Sequence, residues 1–150
     1  MGILNITPDS FSDGGLYVDP NDALRRVDKM VAEGASIIDV GPESTRPGSD
    51  PVPDAQQIDR LRPVIEGIRR THPHIPVSID TRSATVAAAA IELGADIIND
   101  VSALRDDRDM ATVARDTNRL HRQKYGKGLA DFVIPATAMQ LFDKNIISQA

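Results

Sequence analysis

The sequence predicts an α/β fold in which short parallel strands alternate with amphipathic helices, and three observations carry that prediction. Over residues 1–117, four short runs rich in Ile and Val alternate with stretches whose apolar residues recur every three or four positions. That is the pattern of βα units on a parallel sheet. Each strand candidate ends in a polar side chain. Finally, Gly34-Ala35-Ser36-Ile37-Ile38-Asp39 is echoed 60 residues later by Gly94-Ala95-Asp96-Ile97-Ile98-Asn99. Two units of about 30 residues would give that spacing. The alternative, that any α/β protein repeats such strands, accounts for the echo equally well.

In chain order, Gly2-Ile3-Leu4-Asn5-Ile6 reads as the first strand and Ser36-Ile37-Ile38-Asp39-Val40 as the second. Pro76-Val77-Ser78-Ile79-Asp80 reads as the third, and Asp96-Ile97-Ile98-Asn99-Asp100 as the fourth. Helices are expected near 21–33, 54–71 and 83–93. The first carries Leu24, Val27, Met30 and Val31 on one face, and the second carries Ile58, Leu61, Val64, Ile65 and Ile68. Those spacings form an apolar stripe that can face a sheet. Pro20 suits the start of the first helix and Gly34 its end.

The pattern changes near residue 118. Residues 1–117 carry 12 Lys/Arg against 20 Asp/Glu, whereas residues 118–150 carry 5 against 2. The chain therefore divides into a unit at 1–117 and a divergent tail at 118–150. Residues 118–125 are too polar for a buried parallel strand. Ala130–Ile134 can form a strand that Pro135 breaks, and Ala136–Ile147 can form a helix. The basic run from Arg119 to Lys127 reads as a solvated linker rather than a phosphate site.

Composition narrows the function classes. The chain has 150 residues, of which 41% are hydrophobic and 26% charged, ordinary values for a globular domain. A net charge of −5 argues against nucleic acid as a partner. No apolar run approaches the roughly 20 residues of a membrane span. Asn5, Asp9 and Asp13 interrupt any signal-like segment, and Asn5-Ile6-Thr7 reads as a chance glycosylation match. The absence of cysteine excludes disulfides and thiolate metal sites and agrees with a cytoplasmic protein.

Asn5, Asp39, Asp80, Asn99 and Asp100 stand at the ends of the predicted strands. In parallel α/β folds ligands bind at the carboxyl ends of the strands, so a shared polar site explains these residues better than four unrelated caps. The loops after the first two strands are long, and rich in hydroxyls, carboxylates, Gly and Pro: Asn5-Ile6-Thr7-Pro8-Asp9-Ser10-Phe11-Ser12-Asp13-Gly14-Gly15 and Gly41-Pro42-Glu43-Ser44-Thr45-Arg46-Pro47-Gly48. Such loops suit closure over a substrate. Arg46 can receive an oxyanion by a bidentate contact. It can equally pair with Glu43 or Asp50, and spacing alone does not choose. His72 and His74 flank Pro73 and read as a turn rather than a metal site.

The first of these loops, with the strand before it, closely resembles the first signature of the dihydropteroate synthases. Ile37-Ile38-Asp39-Val40-Gly41-Pro42-Glu43-Ser44-Thr45-Arg46-Pro47-Gly48 resembles the second. Ser78-Ile79-Asp80-Thr81 and Ile98-Asn99-Asp100-Val101 match the next two strand ends in order and spacing. The resemblance implies a TIM barrel that joins a pterin pyrophosphate to p-aminobenzoate in folate biosynthesis. Asp80 and Asn99 would bind the pterin edge, and Asn5 the pyrophosphate with its Mg²⁺. Asp39 would order the site. Phe11, Thr45, Arg46 and Pro47 would form the p-aminobenzoate pocket, where sulfonamides compete.

The family's second half should add another Asp, a Lys in a Ser-Arg-Lys strand and an Arg-x-His, and none can be placed here. A barrel of this type needs about 250 residues, and about four βα units are present. The chain also opens directly on the first strand, without the strands that close the barrel's bottom. A gene fragment, a frameshift near residue 118 or a misassembled reading frame is therefore expected rather than a purposeful short enzyme, with weak or no activity of its own. Open strand edges invite pairing of two copies, although a second copy would bring the same residues. Competing readings are a non-catalytic pterin-binding module and a methyltetrahydrofolate–corrinoid methyltransferase. Both loop signatures argue against the latter.

Overall fold

The computed structural model describes residues 1–7, 19–44, 50–116 and 133–135. The elements in order are β1 (Gly2–Asn5), α1 (Pro20–Ala32), β2 (Ile38–Gly41), α2 (Asp54–Thr71), β3 (Val77–Asp80), α3 (Ala84–Leu93), β4 (Ile97–Asp100) and β5 (Val133–Pro135). A further helical run occupies residues 110–116. The strands form one parallel sheet in the order β1-β2-β3-β4-β5. Among the described residues no helix is long and apolar enough to cross a membrane.

Local chemistry explains the helix boundaries. The Asp19 carboxylate accepts the Asn21 N–H at 2.8 Å, and Pro20 occupies the first helical turn, where its missing N–H costs nothing. The Gly-Ala echo proves to be one helix ending used twice. Gly34 and Gly94 both adopt positive φ, at 97° and 112°. Gly34 N–H donates to the Val31 carbonyl and Ala35 N–H to that of Met30; Gly94 and Ala95 do the same to Ile91 and Ala90. This two-bond termination needs a left-handed residue, which glycine adopts without a steric penalty. The second strand starts later than predicted and ends one residue further on: β2 begins at Ile38 and runs through Gly41.

The predicted helix stripes are the buried ones. Val27 of α1 and Leu61, Val64, Ile65 and Ile68 of α2 pack with Leu4, Val40 and Ile79 of the sheet in one core. Leu24, Met30, Val31 and Ile58 lie partly buried against it. A second cluster joins Ala84 and Ala87 of α3 to Ile98 and Met110. His72 closes α2 in the expected turn, and its Nε2 lies 2.7 Å from Asp28 Oδ1 of α1.

The tail contributes β5 to the described structure. Pro135 does not break this strand but forms its last residue, paired with Asp100. A proline is tolerated at the end of a strand that lies at the edge of the described sheet. The basic run and the helix expected over 136–147 lie outside the described residues.

Candidate functional site

Parallel pairing sets side chains in rows across the sheet, and the strand pleat sends alternate residues to opposite faces. Leu4, Val40, Ile79 and Ile98 point into the cores. The residues between them face the other way. Asn5 pairs with Gly41, and Asp80 with Asn99. A carbon placed on Gly41 would come within 4.0 Å of Asp80 Cβ, so Asn5, Gly41, Asp80 and Asn99 form one row. One step lower run Ile3, Asp39, Ser78 and Ile97. The structure thus brings together four of the predicted site residues: Asn5, Asp39, Asp80 and Asn99. Phe11, Thr45, Arg46 and Pro47 lie outside the described residues.

Asp100 corrects the expectation drawn from strand ends. It follows Asn99, so it faces the helix side, fully buried. Its carboxylate accepts the N–H groups of Ser102 and Leu104, each at 2.8 Å. It thereby holds the turn in which Ala103 and Leu104 adopt positive φ. A buried carboxylate satisfied by two backbone donors organises the loop and is not free for a ligand.

The remaining polar row is short of donors. Asn99 Nδ2 donates to Asp39 Oδ2 at 3.2 Å. Asp39 Oδ1, Asp80 Oδ1 and Asn99 Oδ1 are buried without a hydrogen-bond partner. All three are acceptors, and leaving such an atom unpaired costs about 1–3 kcal/mol. Burial raises the Asp39 carboxyl above its ordinary value, opposed by the side chains of Ser78 and Asn99. Asp80 is pushed up to about 6, first by burial and then by the Asp39 and Asp100 carboxylates, while Arg82 opposes the rise. Displaced carboxyls clustered with unpaired acceptors make this end of the sheet a candidate ligand site. Here the need is for N–H donors, which a nitrogen heterocycle supplies along one edge.

Sequence reasoning did not single out the groups that frame this row. Glu43 Oε1 accepts the Val52 N–H at 2.8 Å, and its Oε2 lies 3.6 Å from Arg82 Nη2. Arg82 also reaches Asp106 at 3.2 Å, tying together the loops after β2, β3 and β4. Gly41 carries no local signal beyond its place in the second loop motif. Its place beside Asn5 and Asp80 depends on strand register, which no local signal reveals.

The sequence profile of the pterin-binding enzymes matches residues 1–119. A dihydropteroate synthase of Clostridium beijerinckii is 52% identical over 118 residues, covering 79% of this chain and 44% of the relative. The structure superposes on a dihydropteroate synthase of Clostridium difficile solved in the presence of pteroic acid, with a TM-score of 0.74 and 46% identity, over 78% of this chain and 44% of that one. It likewise matches the Xanthomonas albilineans dihydropteroate synthase with 4-aminobenzoic acid, at a TM-score of 0.70 and 42% identity, over 78% and 42%. These neighbours are TIM barrels. The chain spans less than half the length of the relatives it matches, and its parallel sheet and helices are part of such a barrel.

Proposed function

Since the chain belongs to the pterin-binding enzyme family, we propose that it carries the pterin half of a dihydropteroate synthase site, joining a pterin pyrophosphate to p-aminobenzoate in the cytoplasm. The observation that carries this reading is the set of three unpaired acceptors, Asp39 Oδ1, Asp80 Oδ1 and Asn99 Oδ1. The aminopyrimidinone edge of a pterin offers ring and exocyclic N–H groups that would satisfy them. Asp80 and Asn99 hold that edge, and Asp39 stiffens Asn99 from below.

In the reaction, the bond between the pterin methylene and the pyrophosphate oxygen breaks. The arylamine nitrogen forms a new bond to that carbon and loses a proton. This chain's part is to orient the ring and exclude water around the cationic methylene. In this reading Thr45, Arg46, Pro47 and Phe11 would form the p-aminobenzoate pocket, Arg46 being suited to receive an oxyanion. Residues 1–117 are the pterin-binding unit and 118–150 a divergent tail, and the edge of β1, unpaired among the described residues, is where two copies would pair.

Mg²⁺ belongs to the same reading. Among the described residues, no group of three acidic or imidazole side chains could hold a metal by itself. The Asn5 carboxamide is exposed, and a neutral oxygen suits a hard cation held mostly by phosphate and water. Asn5 would therefore hold the ion only together with the pyrophosphate. Such an ion, when bound, neutralises charge on the leaving group.

The test is dihydropteroate formation by the purified chain, with pterin binding measured in parallel. Product that a sulfonamide suppresses supports the full reading. Pterin binding without pyrophosphate release supports a non-catalytic module. Failure to bind any pterin defeats both.

A further inference from the structure

Gly41 is the one member of the site row without a side chain. Its backbone does not require glycine, because the glycines with positive φ among the described residues are Gly34 and Gly94. Packing does not require it either. A carbon added there would lie 3.0 Å from Asn5 Oδ1, 3.8 Å from the Glu43 carbonyl oxygen and 4.0 Å from Asp80 Cβ. The single tight neighbour is the end of an exposed side chain that can turn aside. Gly2 and Gly67 differ: there the added carbon would press on Met30 Sδ at 2.7 Å and on Leu24 Cδ1 at 2.6 Å, each against the helix packing. A strand glycine that neither φ nor packing explains marks a place where something else approaches the backbone.

We infer that Gly41 is a specificity-determining position, its missing side chain opening the slot by which the 6-substituent of the pterin passes from Asp80 and Asn99 to Asn5. This rests on the pterin reading above and adds to it the path of the reacting arm. Neighbouring strands lie about 4.8 Å apart, so Asn5 and Asp80, two strands apart, are separated by roughly 10 Å. A fused bicyclic ring with a one-carbon arm spans that distance. With the ring edge on Asp80 and Asn99, the arm crosses β2, and Gly41 is the residue of β2 in that row. The slot admits an unbranched one-carbon arm and excludes bulk beside it.

The experiment compares two probes on the full chain, 6-hydroxymethylpterin and pterin carrying only hydrogen at C6. Gly41→Ala is expected to weaken the first by about tenfold or more, the range a single added methyl produces in a fitted pocket. Pterin should bind as it does to the unaltered chain. Equal losses for the two probes, or no loss for either, would overturn the slot. Asn5→Gly relieves the one close contact, so the double variant with Gly41→Ala keeps the site folded. There the selective loss should persist. Its disappearance would mean that the methyl acts only by displacing Asn5, which also overturns the inference. If the unaltered chain bound neither probe, the pterin reading itself would fail and this inference with it.

Discussion

Asn99 and Asp39 meet over an intervening strand, the Asn99 Nδ2 donating to Asp39 Oδ2 at 3.2 Å although β2 and β4 are not neighbours in the sheet. The residue between them is Ser78, which pairs with Asp39 and is itself buried. A small side chain on β3 leaves room for the two longer ones to touch above it. The pair is 1% and 3% exposed, so neither partner has water as a substitute.

Replacing Asn99 by Leu should therefore destabilise the chain by about 1–3 kcal/mol, because it leaves the buried Asp39 carboxylate without its amide donor. Urea unfolding would show a lower midpoint with little change in slope. Adding Asp39→Asn should recover part of the loss by removing the buried charge. An Asn99→Leu protein of unchanged stability would mean that the contact contributes nothing.

Asp80 predicts a pH dependence with a definite sign. Its carboxyl is raised from 3.8 to about 6, by burial and by the nearby Asp39 and Asp100 carboxylates against the opposing Arg82. The folded chain then holds this proton more tightly than the unfolded one. Its contribution favours folding at low pH, is lost as pH rises from about 4 to about 6, and is constant above that. Asp80→Asn should flatten this slope and be the more stable protein above pH 6, by at most about 3 kcal/mol. Pterin affinity should move oppositely, falling in the unaltered chain as pH drops below 6 and the acceptor is protonated. Unfolding midpoints and pterin titrations from about pH 4 to about pH 8 would check both. An unchanged slope in the variant would remove Asp80 as its source.

Asn5 should separate the two ends of the substrate. Asn5→Ala is expected to weaken the pterin pyrophosphate at least about tenfold more than the bare pterin alcohol, roughly 1.4 kcal/mol. Calorimetric titration of both compounds, with Mg²⁺ present, gives the comparison. Equal losses would take Asn5 out of the pyrophosphate site.

A fourth expectation concerns the opposite end of the sheet. Arg69 donates through Nε to the Gly94 carbonyl and through Nη1 to that of Ile75, each at 2.7 Å. Its Nη2 pairs with Asp96, whose carboxylate also accepts the Val77 N–H at 2.8 Å. One guanidinium thus ties α2 to the starts of β3 and β4. Lysine cannot reproduce that fork, so Arg69→Lys should cost about 1–3 kcal/mol in urea unfolding. Pterin affinity should be unaffected, because the site lies at the strands' other ends. A variant that lost binding without losing stability would contradict this assignment.

The sequence by itself determined the elements and the chemical character of the site. Helix stripes at three- and four-residue spacing, glycine-terminated helices and polar strand ends are local features, and each follows from the chain's own geometry. The two loop signatures pointed to the family for the same reason, because contiguous residues carry them. Tertiary structure alone decided which polar residues act together. Asp100 and Asn99 are adjacent in the chain yet face opposite sides of β4, so one secures a turn and the other lies over Asp39. Gly41 stands between Asn5 and Asp80, and Arg82 reaches Glu43 and Asp106, because parallel pairing fixes a register across residues far apart in sequence. Register is set by the summed packing of whole strands against helices, and no single stretch of sequence contains it.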